Sequence, residues 1–124
     1  MNTGTEKRKY PRAYIKLPVR YRKLREGAGV QGTGSVSSDL SQGGIRFTTA
    51  EFIAMACRMI VELEIPALSK PVKAISKVAW IRRTDSPDRY EVGNQFVEMS
   101  KEDKSAVENY LGNLPSTGSG IAVH

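Results

Sequence analysis

The sequence predicts an all-β fold: a six-stranded antiparallel β-barrel with a C-terminal α-helix. Three observations predict it. Apolar residues recur at period two over six short stretches. Clusters of Gly, Pro, Asp and Ser separate those stretches. Helical spacing is convincing only once, near the end of the chain. A parallel sheet would need a crossover connection between each pair of strands, so an antiparallel barrel is the expected arrangement.

The first strand is expected over residues 12–24, where Ile15, Leu17, Val19 and Tyr21 alternate with Lys16, Pro18, Arg20 and Arg22. Pro18, which cannot donate to a ladder, indicates an edge position or a bulge. A Gly-rich turn follows over 27–34, then a second strand over 35–38, a polar turn over 39–44 and a third strand over 45–48. The second and third strands read as a hairpin whose loop is Gly43-Gly44 and its neighbours. The fourth strand spans 59–65, with Met59, Val61, Leu63 and Ile65 on one face. The fifth spans 72–82, with Val72, Ala74, Val78 and Trp80 on one face and Lys73 and Lys77 on the other. A turn containing Pro87 leads into the sixth, 90–99. Ser100 followed by Asp103 gives a capping-box signal, and Ala106, Val107, Tyr110, Leu111 and Leu114 then recur at helical spacing.

A chain of 124 residues suits one domain with one modest core. The expected organisation is a flexible tail over 1–6, a domain over 7–111 and a disordered Gly- and Ser-rich tail over 112–124. The longest uncharged apolar run, 52–57, is far short of a membrane span, and charges stand where a signal peptide needs an apolar stretch. A single cysteine, Cys57, agrees with a reducing compartment. The expectation is a cytoplasmic protein. Its net charge is +6, but the first 25 residues carry +8 and the remainder −2. The basicity is therefore an arm, suited to nucleotide phosphate, nucleic acid or an anionic surface, and the body of the domain is no general polyanion binder.

Two constellations carry chemistry. In Arg8-Lys9-Tyr10-Pro11-Arg12, Pro11 biases Tyr10 to extended backbone, so the two arginines do not stack on one helical face. Spread along an extended segment they sit up to roughly 13 Å apart, a span suited to a compact dinucleotide. Guanidinium pairs with phosphate, forks onto guanine O6 and N7, and stacks on a base. A solvated basic tail would look the same taken alone. In Asp39-Leu40-Ser41-Gln42-Gly43-Gly44, Asp39 is an acceptor for the guanine N1–H and N2–H edge, Ser41 serves phosphate or base, and Gly44 allows close approach to the backbone. An ordinary hairpin turn, with Asp39 and Ser41 bonded to their own backbone, is the competing account.

Taken together, Arg-x-x-x-Arg followed 27 residues on by Asp-x-Ser-x-x-Gly at the start of a strand resembles the PilZ domain family. The resemblance runs from about Lys7 to Leu111 and includes Val78-Ala79-Trp80, the strand from Tyr90 to Phe96 and the closing helix. It implies a receptor for cyclic di-GMP that catalyses nothing and signals to a downstream protein the sequence does not name. The alternative within the family is a protein-interaction adaptor that binds no nucleotide, but relatives of that kind usually lack the two motifs, which are intact here. The resemblance also implies the roles: Arg8 and Arg12 clamp guanine and phosphate, Asp39 and Ser41 fix base and phosphate, and Gly44 marks the close approach. Lys7, Lys9, Tyr10, Gly43 and Trp80 are further candidates. Trp80 shares its predicted face with Val78, so core packing is expected of it, with base stacking as the alternative. Lys7 stands where relatives that bind a stacked pair of ligands often carry arginine, which leaves one or two ligand molecules open. The arm before Arg12 has few core-forming residues, so it is expected to be mobile and to fold over the barrel when ligand arrives.

Other classes fit less well. Glu62 and Glu64 fall about 7 Å apart on one strand face, but a solvent-facing one. The only histidine is His124, so no His-activated nucleophile or two-histidine zinc site can be built, and no metal or cofactor is expected. Cys57 reads as a small buried hydrophobe. Single-stranded nucleic acid on an OB-like barrel is the rival binding module, but it wants several exposed aromatics on one face, which the nine aromatics here do not obviously supply. Nucleic acid is thus not the expected partner.

Overall fold

The computed structural model describes residues 12–26, 31–114 and 121–122. They form β1 (Arg12–Ala13), β2 (Pro18–Lys23), β3 (Thr33–Leu40), β4 (Gly44–Thr49), β5 (Arg58–Leu63), β6 (Val72–Arg83), β7 (Tyr90–Met99), α1 (Lys101–Gly112) and β8 (Ile121–Ala122). Six strands run in the order β2-β5-β6-β7-β4-β3, and β3 pairs back onto β2. The sheet therefore closes into an antiparallel barrel, as predicted, while β1 and β8 extend from the end of β3 outside the ring.

Closure buries the period-two faces. Phe47, Leu40, Met59, Val61, Leu63, Val78 and Val92 are at most 2 % exposed. Each such side chain contributes about 1.5–3 kcal/mol relative to an exposed one. Ile53, from the loop after β4, and Val107, from α1, join the same core, and Cys57 packs against it partly buried. The helix begins at Ser100, whose Oγ accepts from the Asp103 N–H at 3.1 Å, the predicted cap. Asp103 Oδ2 accepts from the Lys73 N–H of β6 at 3.2 Å, so the first helical turn is tied to the barrel. Among the described residues no helix is long and apolar enough to cross a membrane.

The predicted first strand, 12–24, is in fact two strands with residues 14–17 between them. Ser37 of β3 explains the break. Its N–H donates to Leu17 O and its hydroxyl to Ile15 O, while the Leu17 N–H donates to Ser37 Oγ. This clamp lets the chain pass from Leu40 of β3, which β1 pairs, to residues 33–36, which β2 pairs. Pro18 opens β2, where no donor is lost inside the strand. The second strand is longer than predicted, because 33–36 find partners in β2. Part of the Gly-rich turn, 27–30, lies outside the described residues. The fourth strand stops at Leu63, although the Glu64 N–H still donates to Pro18 O at 3.0 Å, and Glu62 faces Lys73 Nζ at 3.9 Å. Of the predicted tails, 1–6 and most of 112–124 lie outside the described residues; Gly112 ends the helix, and Ile121–Ala122 pair with β1.

Candidate ligand-binding site

Two inserted residues shape the outer wall of the barrel. On β3, Ser37 pairs with Phe47 and Asp39 with Arg46, so Ser38 is an extra residue opposite β4. On β6, Val78 pairs with Asn94 and Trp80 with Gly93, so Ala79 is an extra residue opposite β7. A bulge of one residue reverses the side to which the next side chain points. Cross-strand partners share a face. Ile45 and Phe47 face the core, so Arg46 faces out, and so do its partners Asp39 and Gly93 and the Gly93 partner Trp80. The result is a straight outward row, Asp39–Arg46–Gly93–Trp80, across four strands.

The Trp80 expectation is corrected by this geometry. Strict alternation put Trp80 with Val78 in the core, but the Ala79 bulge leaves Val78 at 1 % exposure and turns Trp80 out, half-buried. Its indole lies directly over Gly93, where a Cβ would run into the ring atoms Cε2 and Nε1. Glycine at 93 thus makes the bed on which the ring rests. Gly44 has a comparable reason of its own: a Cβ there would meet the Asn94 carbonyl oxygen of β7, so the close approach is between two strands.

The β3–β4 turn is closed by the Ser41 N–H donating to Gly44 O at 2.9 Å, and the Gly43 N–H donates to Ser41 Oγ at 3.2 Å. Ser41 therefore bonds its own backbone as an acceptor, and its hydroxyl proton is still a donor. Phe96 N–H donates to Gly43 O, which locks the turn to β7. Asp39 is 4 % exposed. Its Oδ2 lies 2.8 Å from Arg46 Nη2 and 3.7 Å from Arg12 Nη1, because the pairing of Ala13 with Leu40 sets Arg12 beside the turn. Arg46 reaches on to Glu91 Oε2 at 3.4 Å. Glu91 Oε1 in turn accepts from Arg82 Nε and Nη2 at 3.0 and 2.7 Å, and the Arg82 guanidinium sits 5.6 Å from the Trp80 ring centre.

Arg12, Asp39, Ser41, Gly43, Gly44 and Trp80 all line one cleft of about 180 Å³, together with Arg46, Gly93 and Gln95. Lys7, Arg8, Lys9 and Tyr10 lie outside the described residues. The cleft offers guanidinium groups, a buried carboxylate, a hydroxyl and an indole within one small volume. Sequence reasoning did not find Arg46, Arg82, Glu91 or Gly93. Arg46 had a signal, since it alternates with Ile45 and Phe47 right after the turn. The other three are brought in by cross-strand register alone. Among the described residues no group of three or more His, Cys, Asp or Glu side chains could hold a metal ion.

The PilZ domain family model matches residues 6–113. Among solved structures, the Bacillus subtilis inhibitor of motility MotI/DgrA is similar at a TM-score of 0.68 and 17% identity, covering 83% of this chain and 48% of that one. The PilZ domain of YcgR from Escherichia coli, solved with c-di-GMP, is similar at 0.65 and 16%, covering 86% and 90%. The K. pneumonia MrkH–c-di-GMP complex is similar at 0.61 and 17%, covering 84% and 49%. This chain spans about half the length of MotI/DgrA and of MrkH. Among curated proteins no sequence matches it significantly.

Proposed function

The chain belongs to the PilZ domain family, and from that premise we propose that it is a cyclic di-GMP receptor, not an enzyme, that changes the conformation of its N-terminal arm on binding and signals to a partner protein. The observation that carries this reading is the outward row from Asp39 to Trp80, with Arg12 and the Ser41 turn at one end of the same cleft. A guanine needs an acceptor for its N1–H and N2–H edge, a flat surface for its ring and cations for the attached phosphates. Asp39, Trp80 and Arg12 are of those three kinds, and Ser41 adds a hydroxyl donor for phosphate.

The cleft is smaller than the roughly 300–1,000 Å³ of an ordinary small-molecule pocket. It accommodates part of a cyclic dinucleotide, and in this reading the segment carrying Lys7, Arg8, Lys9 and Tyr10 closes over the rest. Arg8 then clamps the face of the ligand that the barrel does not reach. The binding unit is residues 7–111. Trp80 is the single indole of the cleft, which is too little for the run of stacked bases that single-stranded nucleic acid wants.

Calorimetric titration with cyclic di-GMP, with GMP as control, tests the reading and gives the stoichiometry that Lys7 leaves open. Saturable binding of the dinucleotide and none of GMP is the expected result; heats no larger for cyclic di-GMP than for GMP would refute it. NMR order parameters for residues 5–12 test the arm separately. They should rise on binding, and equal values with and without ligand would remove the conformational step.

A further inference from the structure

The outer wall carries a line of charge whose later members, Arg46, Glu91 and Arg82, belong to neither sequence motif. It starts at the Asp39 carboxylate, passes through Arg46 and Glu91 to Arg82, and ends over the Trp80 ring. Its two ends are the groups assigned to the base in the preceding section. The middle members differ in how much they can matter. The side chains of Asp39, Arg46 and Glu91 are 6, 20 and 14% exposed, so their attractions are only partly screened. Arg82 is 66% exposed, and its pair with Glu91 is of the surface kind that contributes little.

One guanidinium that spans two carboxylates is held at both ends. Its planar fork cannot turn toward one partner without leaving the other. Glu91 therefore fixes Arg46, and Arg46 holds Asp39 through Oδ2, which limits how far that carboxylate can swing. That restraint matters for reading a base. Guanine offers two adjacent donors, N1–H and the N2 amino group, to a carboxylate that only accepts. Adenine offers one donor beside the N1 lone pair, which a fixed carboxylate oxygen repels. A carboxylate free to swing can take the adenine amino group alone and escape that repulsion, whereas a fixed one rejects the wrong edge.

We propose that Arg46 and Glu91 are positioning residues that set the preference for guanine over adenine in the bound cyclic dinucleotide. The proposal rests on the cyclic di-GMP reading and goes beyond it, since it assigns the selectivity to residues outside the recognised motifs.

The test is calorimetric titration of the wild-type chain, Glu91→Gln, Arg46→Lys and Arg46→Met with cyclic di-GMP and with cyclic di-AMP, each variant checked by thermal melting. The quantity read is the ratio of the two affinities. Glu91→Gln keeps the size of the side chain and should reduce the ratio by about tenfold, the size of one charge-assisted contact, mainly by weakening cyclic di-GMP. Arg46→Lys should not restore wild-type selectivity, because one ammonium cannot fork between Asp39 and Glu91. Arg46→Met should reduce the ratio at least as much. If Arg46→Met does not fold, Glu91→Gln and Arg46→Lys carry the test. A wild-type ratio in folded Glu91→Gln and Arg46→Lys would overturn the proposal and leave the receptor reading standing. A wild-type chain that bound neither dinucleotide would overturn both.

Discussion

Two rows of residues cross the same four strands one step apart. The inner row is Leu40, Ile45, Asn94 and Val78, all at most 5 % exposed, with Asn94 Oδ1 accepting from the Ser76 hydroxyl at 3.2 Å inside the barrel. The outer row is Asp39, Arg46, Gly93 and Trp80. The inner row is packed mainly for stability. The outer row has charge pairs in place of packing, and a glycine where a side chain would spoil the approach of the indole. Neighbours in sequence, Asp39 and Leu40, belong to different rows, and so do Gly93 and Asn94. Ile45 and Asn94 of the inner row also border the cleft, so folding and binding separate most cleanly in this barrel between the neighbours Asp39 and Leu40.

The separation can be broken most severely from the inner side. Leu40→Ala empties a fully buried site and should destabilise the domain by about 2–5 kcal/mol, read in urea or thermal unfolding. The folded fraction should still bind ligand with nearly wild-type affinity. An equal loss of affinity would mean that the rows are not independent.

The outer row should show the opposite signature. Asp39→Asn and Arg12→Ala each remove a charge-assisted contact of about 1.5–3 kcal/mol, which is about a tenfold to more than hundredfold loss of affinity in calorimetry. Their effect on melting temperature should be smaller than that of Leu40→Ala. Unchanged affinity in either variant would remove that residue from the site.

Gly93→Ala probes the seam between the rows. The new methyl meets the Trp80 ring, so the indole must move, at about 1–3 kcal/mol of overpacking. Trp80 is the only tryptophan, so its emission should shift and ligand affinity should fall together. A shift of emission with full affinity would show that the indole does not touch ligand.

The smallest expected effect belongs to the inner face alone. Burial pushes the Tyr21 hydroxyl above its ordinary 10.0, the negative charge of Glu51 adding to the rise and Arg89 opposing it. The native state then keeps that proton to higher pH than the unfolded chain does. Stability is full below about pH 10 and is lost as pH rises from there through the raised value. Tyr21→Phe should flatten that part of the pH dependence and leave ligand affinity at neutral pH unchanged.

Much of this architecture was legible in the sequence, even where Val97, an extra residue opposite β6, breaks the alternation of its strand. The strand Tyr90–Met99 and the Ser100 cap are where the pattern put them. The N-terminal strand was not, because Ile15, Leu17, Val19 and Tyr21 keep period two straight through a segment that leaves the sheet. Periodicity reports burial on one side, not a hydrogen-bonded partner. Trp80 failed for a related reason: the Ala79 bulge slips the parity, and nothing in the pattern of 72–82 marks it. In the cleft, Arg12 and the turn from Asp39 to Gly44 were visible as motifs with local spacing. Glu91, Arg82 and Gly93 come from other strands by register, which one chain's spacing does not encode.

Titrating the emission of Trp80 with cyclic di-GMP tests the central claim most directly, because the single indole lines the cleft itself. The account predicts a saturable change in emission that GMP does not produce and that is weakened in Arg12→Ala. No change up to about 1 mM ligand, or binding seen by calorimetry with the emission of Trp80 unaltered, would contradict it.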